Sequence, residues 1–481
     1  MGEEAVRDSR GCAVRRLVGA LNLRRSSHVG LALAVVVFGS GPVLAETMSD
    51  ALSRAYTNNP DINQQRASVR AMDEGVPQAK AGWMPKVQAT GTVNYQVTNV
   101  QGLFGLGGSQ KLAGVPVTGT AQVSETLFDG LKTENQINSA ESSVLMAREQ
   151  LRQTEVSTLY AGATAYMDVL QNTAVLGLQR NNVKVLTVQL QQTRDRFQVG
   201  EVTRTDVAQA ESSLASGTAD VARAEADLQT SIASYRRVIG MQPTRLQPAR
   251  PIEKLLPPTL EDSIAVGLAE HPAVLGALHQ VDVAEDGVKI AEAALSPQLG
   301  LVGMVQNSTD TSGYPGYNVF SAAIGGQLTV PIYQGGQEYA AIRQAKEKLN
   351  QAQIAVASAR DQTRAGVVTA WGQLQAARAA IMSFTAAVKA AEIALNGVRE
   401  EAKVGQRTTL DVLNAEQTLL QQRVQLVRAQ HDRVVASYAV MGAIGRLSAP
   451  NLGLGVVEYD PRRHYQQTKN RFFGIDTPDG R

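Results

Sequence analysis

This chain carries one segment twice, and the repeat limits its fold more than any other feature. The stretch Phe197-Gln-Val-Gly200-Glu-Val-Thr203-Arg-Thr-Asp206-Val207-Ala-Gln-Ala210-Glu211 returns as Ala402-Lys-Val-Gly405-Gln-Arg-Thr408-Thr-Leu-Asp411-Val412-Leu-Asn-Ala415-Glu416, a constant 205 residues later, and the offset still holds from Ile239-Gly240 to Ile444-Gly445. Upstream, Asn59-Pro60 and Trp83-Met-Pro85 match His271-Pro272 and Leu295-Ser-Pro297 at an offset of 212 residues. The 7-residue difference falls between Pro85 and the next shared point, Leu127-Phe128-Asp129-Gly130 against Ile332-Tyr333-Gln334-Gly335. A length change confined to one place marks a surface loop. Two copies of one unit predict a duplicated architecture with paired sites.

Residues 1–45 read as an export signal. Arg15, Arg16, Arg24 and Arg25 precede an apolar run from Val29 to Phe38, and Val43-Leu44-Ala45 supplies a cleavage pattern. The only cysteine, Cys12, lies before that run, so it is not a lipid-attachment cysteine, and the mature chain is expected to have no disulfide, thiolate metal site or thiol nucleophile. Removing residues 1–45, with their six Arg and three acidic residues, leaves a chain within one charge of neutral. That balance gives no footprint for nucleic acid.

Each copy holds two kinds of segment. Residues 131–198 and 337–404 lack proline and are dominated by Ala, Leu, Gln, Glu and Val, which favour helix. Such a helix is about 100 Å long at ~1.5 Å per residue. Leu145, Leu151, Leu159, Tyr166 and Leu170 recur at heptad-like spacing, the pattern of a coiled coil. Val199-Gly200 and Val404-Gly405 end these helices, and returning helices start near Thr203 and Thr408. A returning helix of about 54 Å and a preceding piece of about 35 Å (residues 61–83 or 273–295) together nearly match the long one. The Pro-rich linker Gln242–Pro258 and the C-terminal tail are then expected to gather at the joint as a belt.

The remaining part of each copy reads as strand. Val87, Ala89, Gly91, Val93, Tyr95 and Val97 alternate with uncharged polar residues, and so do Phe320, Ala322, Ile324, Gly326, Leu328 and Val330. Residues 117–127 and 299–305 supply two more strands, and Gly-rich loops, Asn99–Pro116 and Asn307–Asn318, join each pair. Strands of about 10 residues with one apolar face suit a transmembrane barrel with a wet lumen, and equally an ordinary two-layer soluble sheet; the export signal and the very long flanking helices favour the barrel. Four strands are too few to close one, since about eight is the usual minimum, so the barrel must be shared between chains.

The doubled Val-Gly-x-x-Thr-x-x-Asp-Val, the Asn-Pro and Pro85/Pro297 positions and the Leu-Phe-Asp-Gly before the first long helix resemble the TolC family of outer-membrane efflux and secretion proteins. The resemblance covers about residues 48–446, and the tail from Tyr459 through Phe472-Phe473-Gly474 is similar to that of alphaproteobacterial members. It implies a mainly α fold with a small β part: a homotrimer whose long coiled-coil helices form an α-helical barrel across the periplasm, joined to a shared 12-stranded β-barrel in outer-membrane lipid. The expected layout is a first repeat at 46–242, a linker at 243–258, a second repeat at 259–446 and a tail at 447–481.

The implied function is an exit duct for a tripartite efflux pump or type I secretion system. Its implied partners are a periplasmic adaptor (membrane fusion) protein and an inner-membrane pump or ABC transporter. The resemblance places the periplasmic gate at Asp206, Arg407 and Asp411. Asn414 stands where a second Asp is frequent, which predicts a weaker cation site. Val199, Gly200, Thr203, Val404, Gly405 and Thr408 match the adaptor-docking tips. Thr203/Asp206 and Thr408/Asp411 also fit helix capping boxes, so cap and gate readings both stand. A soluble periplasmic coiled-coil scaffold without a pore is the alternative. No catalytic constellation, cofactor motif or metal spacing is expected: His271, His279, His431 and His464 form none, and Gly105 to Lys111 lacks the phosphate-loop spacing.

Overall fold

The computed structural model describes residues 46–101, 109–310, 316–478 and 480. The expected export signal, and parts of both Gly-rich loops, lie outside the described residues.

In the first copy α1 (Met48–Asn58), α2 (Pro60–Asp73) and α3 (Gly75–Lys80) lead to the strands; α4 (Lys132–Gln198) and α5 (Arg204–Ile239) follow them. The second copy repeats this with α6 (Leu260–Glu270), α7 (Pro272–Glu292), α8 (Gln337–Lys403) and α9 (Thr409–Ala443), and α10 (Pro461–Thr468) lies in the tail. Both long helices have 67 residues. Asn59 and His271 cap the helices that open on Pro60 and Pro272, where a missing N–H costs nothing. The copies differ at α2–α3, where the second has one continuous α7. Pro77 explains the break: its ring collides with the carbonyl four residues back, Asp73, which is the last residue of α2. The second copy has Lys289 at that position.

The strands are β1 (Lys86–Val93), β2 (Gln96–Gln101), β3 (Ser109–Gly114), β4 (Val117–Phe128), β5 (Gln298–Thr309) and β6 (Val319–Thr329). A four-stranded antiparallel sheet has the order β1-β4-β5-β6, and β2 and β3 form a separate ribbon. The first hairpin is thus one long strand pair broken at Asn94-Tyr95 and Val115-Pro116. Its extra ribbon carries the length difference that the sequence suggests for a loop.

The main core lies around the middle of α4. Leu52, Tyr56, Leu159, Tyr166, Tyr235, Ile239 and Tyr438 are buried there together with Leu447 and Leu454 from the segment after α9, and Leu246, Ile252 and Leu256 of the linker pack on them. The Tyr166 hydroxyl lies 2.8 Å from the Glu46 carbonyl and 2.7 Å from that of Gln247, tying the segment before α1 and the linker to α4. The linker is also strapped to the second copy. Glu253 accepts hydrogen bonds of 2.8 Å from Arg433 Nε on α9 and from Arg378 Nη2 on α8. The Arg433 hydrogen bond, opposed by burial and reinforced by Arg378, holds its carboxyl at about 2. Trp371, the counterpart of Tyr166, packs beside Leu374 and Val440.

Candidate functional site: the helical tips

The two helical turns close in the same way. After α4, Gly200 N–H donates to the Phe197 carbonyl (3.0 Å) and Glu201 N–H to the Arg196 carbonyl (2.9 Å). After α8, Gly405 N–H donates to Ala402 (3.2 Å) and Gln406 N–H to Glu401 (3.0 Å). This is the Schellman pattern, which requires a left-handed residue. Gly200 has φ 82° and Gly405 has φ 80°. Neither glycine has neighbours that a Cβ would strike, so backbone conformation alone dictates the residue there. Val199 and Val404, each just before its glycine, are both 71 % exposed.

The returning helices start on matched capping boxes. Thr203 Oγ1 accepts from Asp206 N–H (3.3 Å), and Asp206 Oδ2 accepts from Thr203 N–H (2.8 Å) and hydroxyl (2.7 Å). In the second copy the corresponding distances between Thr408 and Asp411 are 3.2, 2.9 and 2.8 Å. Both carboxylates are held below the ordinary Asp value. For Asp206 the Thr203 hydroxyl is the leading cause; for Asp411 it is the Thr408 backbone N–H. The capping role is therefore physically present at both positions.

Charges at the tips do not repeat. Arg407 Nε donates to Glu401 Oε2 at 2.8 Å, and this hydrogen bond raises the guanidinium above its ordinary value; Asp411 adds a weaker attraction. In the first copy Arg196 Nε donates to Glu201 Oε2 at 3.0 Å. Asn414 is exposed one turn beyond Asp411. The structure thus joins Thr203 to Asp206, and Thr408 to Asp411, and sets Arg407 beside Asp411 but bonded to Glu401.

One feature of the tips escapes the motif reading. Arg194 Nη2 bridges to Glu211 Oε1 at 2.6 Å, and Arg399 Nη2 to Glu416 Oε1 at 2.8 Å, both pairs at the same place in the repeat. Applying the 205-residue offset to Arg194 as well as to Glu211 would have revealed it.

The sequence matches the family described as "Outer membrane efflux protein" over residues 51–241 and 265–446. The chain belongs to that family. It is 41 % identical over 457 residues to the outer membrane efflux protein BepC of Brucella suis, covering 93 % of this chain and 97 % of that one. It is 26 % identical to the outer membrane protein TolC of Vibrio cholerae over 423 residues, 85 % of this chain and 93 % of that one. Among solved structures, the outer membrane protein VceC of Vibrio cholerae superposes with a TM-score of 0.69 at 19 % identity, covering 83 % of this chain and 96 % of that one. This is a TolC-family exit duct of the outer membrane, its sheet part of a β-barrel and its long helices part of a helical barrel in the periplasm.

Proposed function

We propose that three copies close the duct and that the tips gate it. The sheet carries this reading. Its edges, β1 and β6, run in opposite directions because the order β1-β4-β5-β6 is antiparallel throughout. Copies placed side by side therefore join β6 to the next β1 in antiparallel fashion; one copy's four strands are below the roughly eight that a closed barrel needs, and three copies together exceed it. The outer face of α8 supports it too. Gln337–Lys403 is the one helix, among the described residues, long and apolar enough to cross a membrane by composition, yet that stretch is almost unburied. Ile354, Val368, Met382 and Ile393 are exposed along it at spacings of 14, 14 and 11 residues, which bring them onto one helical face. A neighbouring copy would cover that stripe.

Under three-fold symmetry Asp411 forms a ring of three carboxylates, and such rings favour cations. Arg407, paired with Glu401, holds the turn beside it, and Asn414 leaves the next ring uncharged. Asp206 lines the neighbouring turn. Val199, Gly200 and Thr203, with Val404, Gly405 and Thr408, form the ends that a periplasmic adaptor docks against. An inner-membrane pump or ABC transporter behind that adaptor supplies the energy.

Single-channel conductance in a planar bilayer tests the gate. Wild type should show small, cation-preferring openings. Asp411→Asn should lose much of the preference, and Arg407→Ala should raise the conductance. Openings identical in all three proteins would reduce Asp411 to a helix cap and remove the gate from this turn.

A further inference from the structure

We propose that the C-terminal segment Lys469–Ile475 is a lipid-binding anchor that docks on the periplasmic phospholipid leaflet beside the β-barrel. α10 fixes the direction of this segment. His464 Nδ1 lies 2.9 Å from Asp73 Oδ2 near the end of α2, and the Tyr465 hydroxyl donates to Glu141 on α4. Further along, Lys80 Nζ at the end of α3 donates to the Lys469 carbonyl and to Asn470 Oδ1, both at 3.1 Å. The tail thus runs along α2 and α3 toward the strands. From Lys80 to Lys86, the first residue of β1, is about 16 Å: one short 3-10 turn and three extended steps. The five residues Arg471–Ile475 would cover about 17 Å if fully extended, which is the same order as that distance, so the segment lies on the strand side of α3.

The composition of that end is amphipathic. Phe473 is 91 % exposed and Ile475 is 99 % exposed, with Phe472 partly so. Arg471 folds back, its Nε donating to the Phe473 carbonyl, and Gly474 turns the chain at φ 95°. Arg462, Arg463, Lys469 and Arg471 accompany these side chains, against Asp460 and Asp476. Aromatic and aliphatic groups beside a net basic charge match an anionic lipid surface. The strand bases are apolar as well: Met84, Phe128, Ile332 and Tyr333 are all exposed there. Aromatic girdles at such bases mark the membrane interface.

The sequence's single cysteine, Cys12, makes a clean test possible. A nitroxide is placed at Ile475→Cys in a Cys12→Ser background, and the whole protein is inserted in phosphatidylethanolamine–phosphatidylglycerol vesicles. The expected result is high accessibility to oxygen and low accessibility to a water-soluble nickel chelate. Lys469→Glu with Arg471→Glu should lower the oxygen-to-nickel ratio roughly twofold or more. High nickel accessibility would mean a free tail and would overturn the proposal. Low accessibility to both would mean cover by protein, such as a second copy, and would overturn it as well. Ion conductance of the same vesicles reports insertion of the duct separately, so failure of the anchor is not confused with failure of the pore.

Discussion

At the tip of the first copy Arg196 reaches forward to Glu201; at the tip of the second, the same position is Glu401, and Arg407 reaches back to it. Around these opposed charges the backbones agree: Schellman closure, left-handed glycine, exposed valine before it, capping box after it. The turn geometry is needed twice, because both long helices must reverse. The charge pattern is not, because only the local backbone, and not its side chains, is fixed by that need. The Arg194–Glu211 and Arg399–Glu416 pairs make the same point through burial. The first has both side chains 49 % exposed; in the second Glu416 is 7 % exposed, and its Oε2 is buried without a hydrogen-bond partner.

That difference gives the largest expected effect. Arg399→Ala strands a buried carboxylate and should cost about 2 kcal/mol. Arg194→Ala releases a solvated pair and should cost less than about 1 kcal/mol. Thermal melting of the helical signal in detergent reads both. Equal shifts in melting temperature would show that the two tips are energetically alike and that burial of Glu416 does not matter.

Much of this was legible because it rests on local rules. Gly200, Gly405, Thr203 and Thr408 announce their turns by residue type, and the proline-free stretches announce helices of 67 residues. The alternation along residues 87–93 and 320–330 announces β1 and β6, while that along 117–127 is less clean, with Glu125 on the apolar side of β4. The rest depends on contacts distant in sequence. Nothing near Glu253 says that it joins Arg378 and Arg433, and nothing near His464 says that it meets Asp73. Arg407 could be placed at the tip, but its partner Glu401 follows from the shape of the turn. The break at Pro77 was legible in principle, since proline's clash four residues back is a local rule.

The caps offer a matched test. Thr203→Ala and Thr408→Ala should each cost about 1 kcal/mol, and by the same amount, because the two boxes have the same geometry. A clear inequality would break the equivalence of the turns. Their pH response follows from the lowered carboxylates. A group depressed in the folded state contributes stability that is complete above its unfolded value and lost as pH falls through the folded one. Acid melting should therefore begin to loosen both tips only below the ordinary Asp value of 3.8.

His431 provides the contrast, because its contacts have no counterpart in the repeat. Its Nε2 lies 2.9 Å from Asp168 on α4 and its Nδ1 2.9 Å from Asp432. Both neighbours accept only, so the arrangement suits an imidazolium. Burial pulls the ring down, yet the hydrogen bonds to Asp168 and Asp432 outweigh it and raise it above its ordinary value. A raised group stabilises below its unfolded value, and that contribution disappears as pH rises through the folded one. The α4–α9 contact should loosen on going from mildly acidic to mildly basic pH, and Asp168→Asn should flatten the dependence. A His431 ring resonance that titrates below the ordinary value would contradict the arrangement.

The smallest effect lies at the start of the long helices. Leu131 precedes α4 with φ 68°, and its counterpart before α8 is Gly336 with φ 87°. A left-handed conformation costs a residue with a side chain about 1–2 kcal/mol relative to the right-handed one. Glycine avoids that strain but gives up more freedom on folding, about 0.5–1 kcal/mol. The two terms nearly cancel, so Leu131→Gly should raise stability by only a few tenths of a kcal/mol. The half-exposed Leu131 side chain has little burial to lose. Gly336→Leu should lower stability by a similar small amount, since no neighbouring atoms crowd Gly336. A large loss in Leu131→Gly would mean that the side chain is held at the membrane interface. The first copy would then have kept leucine for lipid contact at the expense of its own turn.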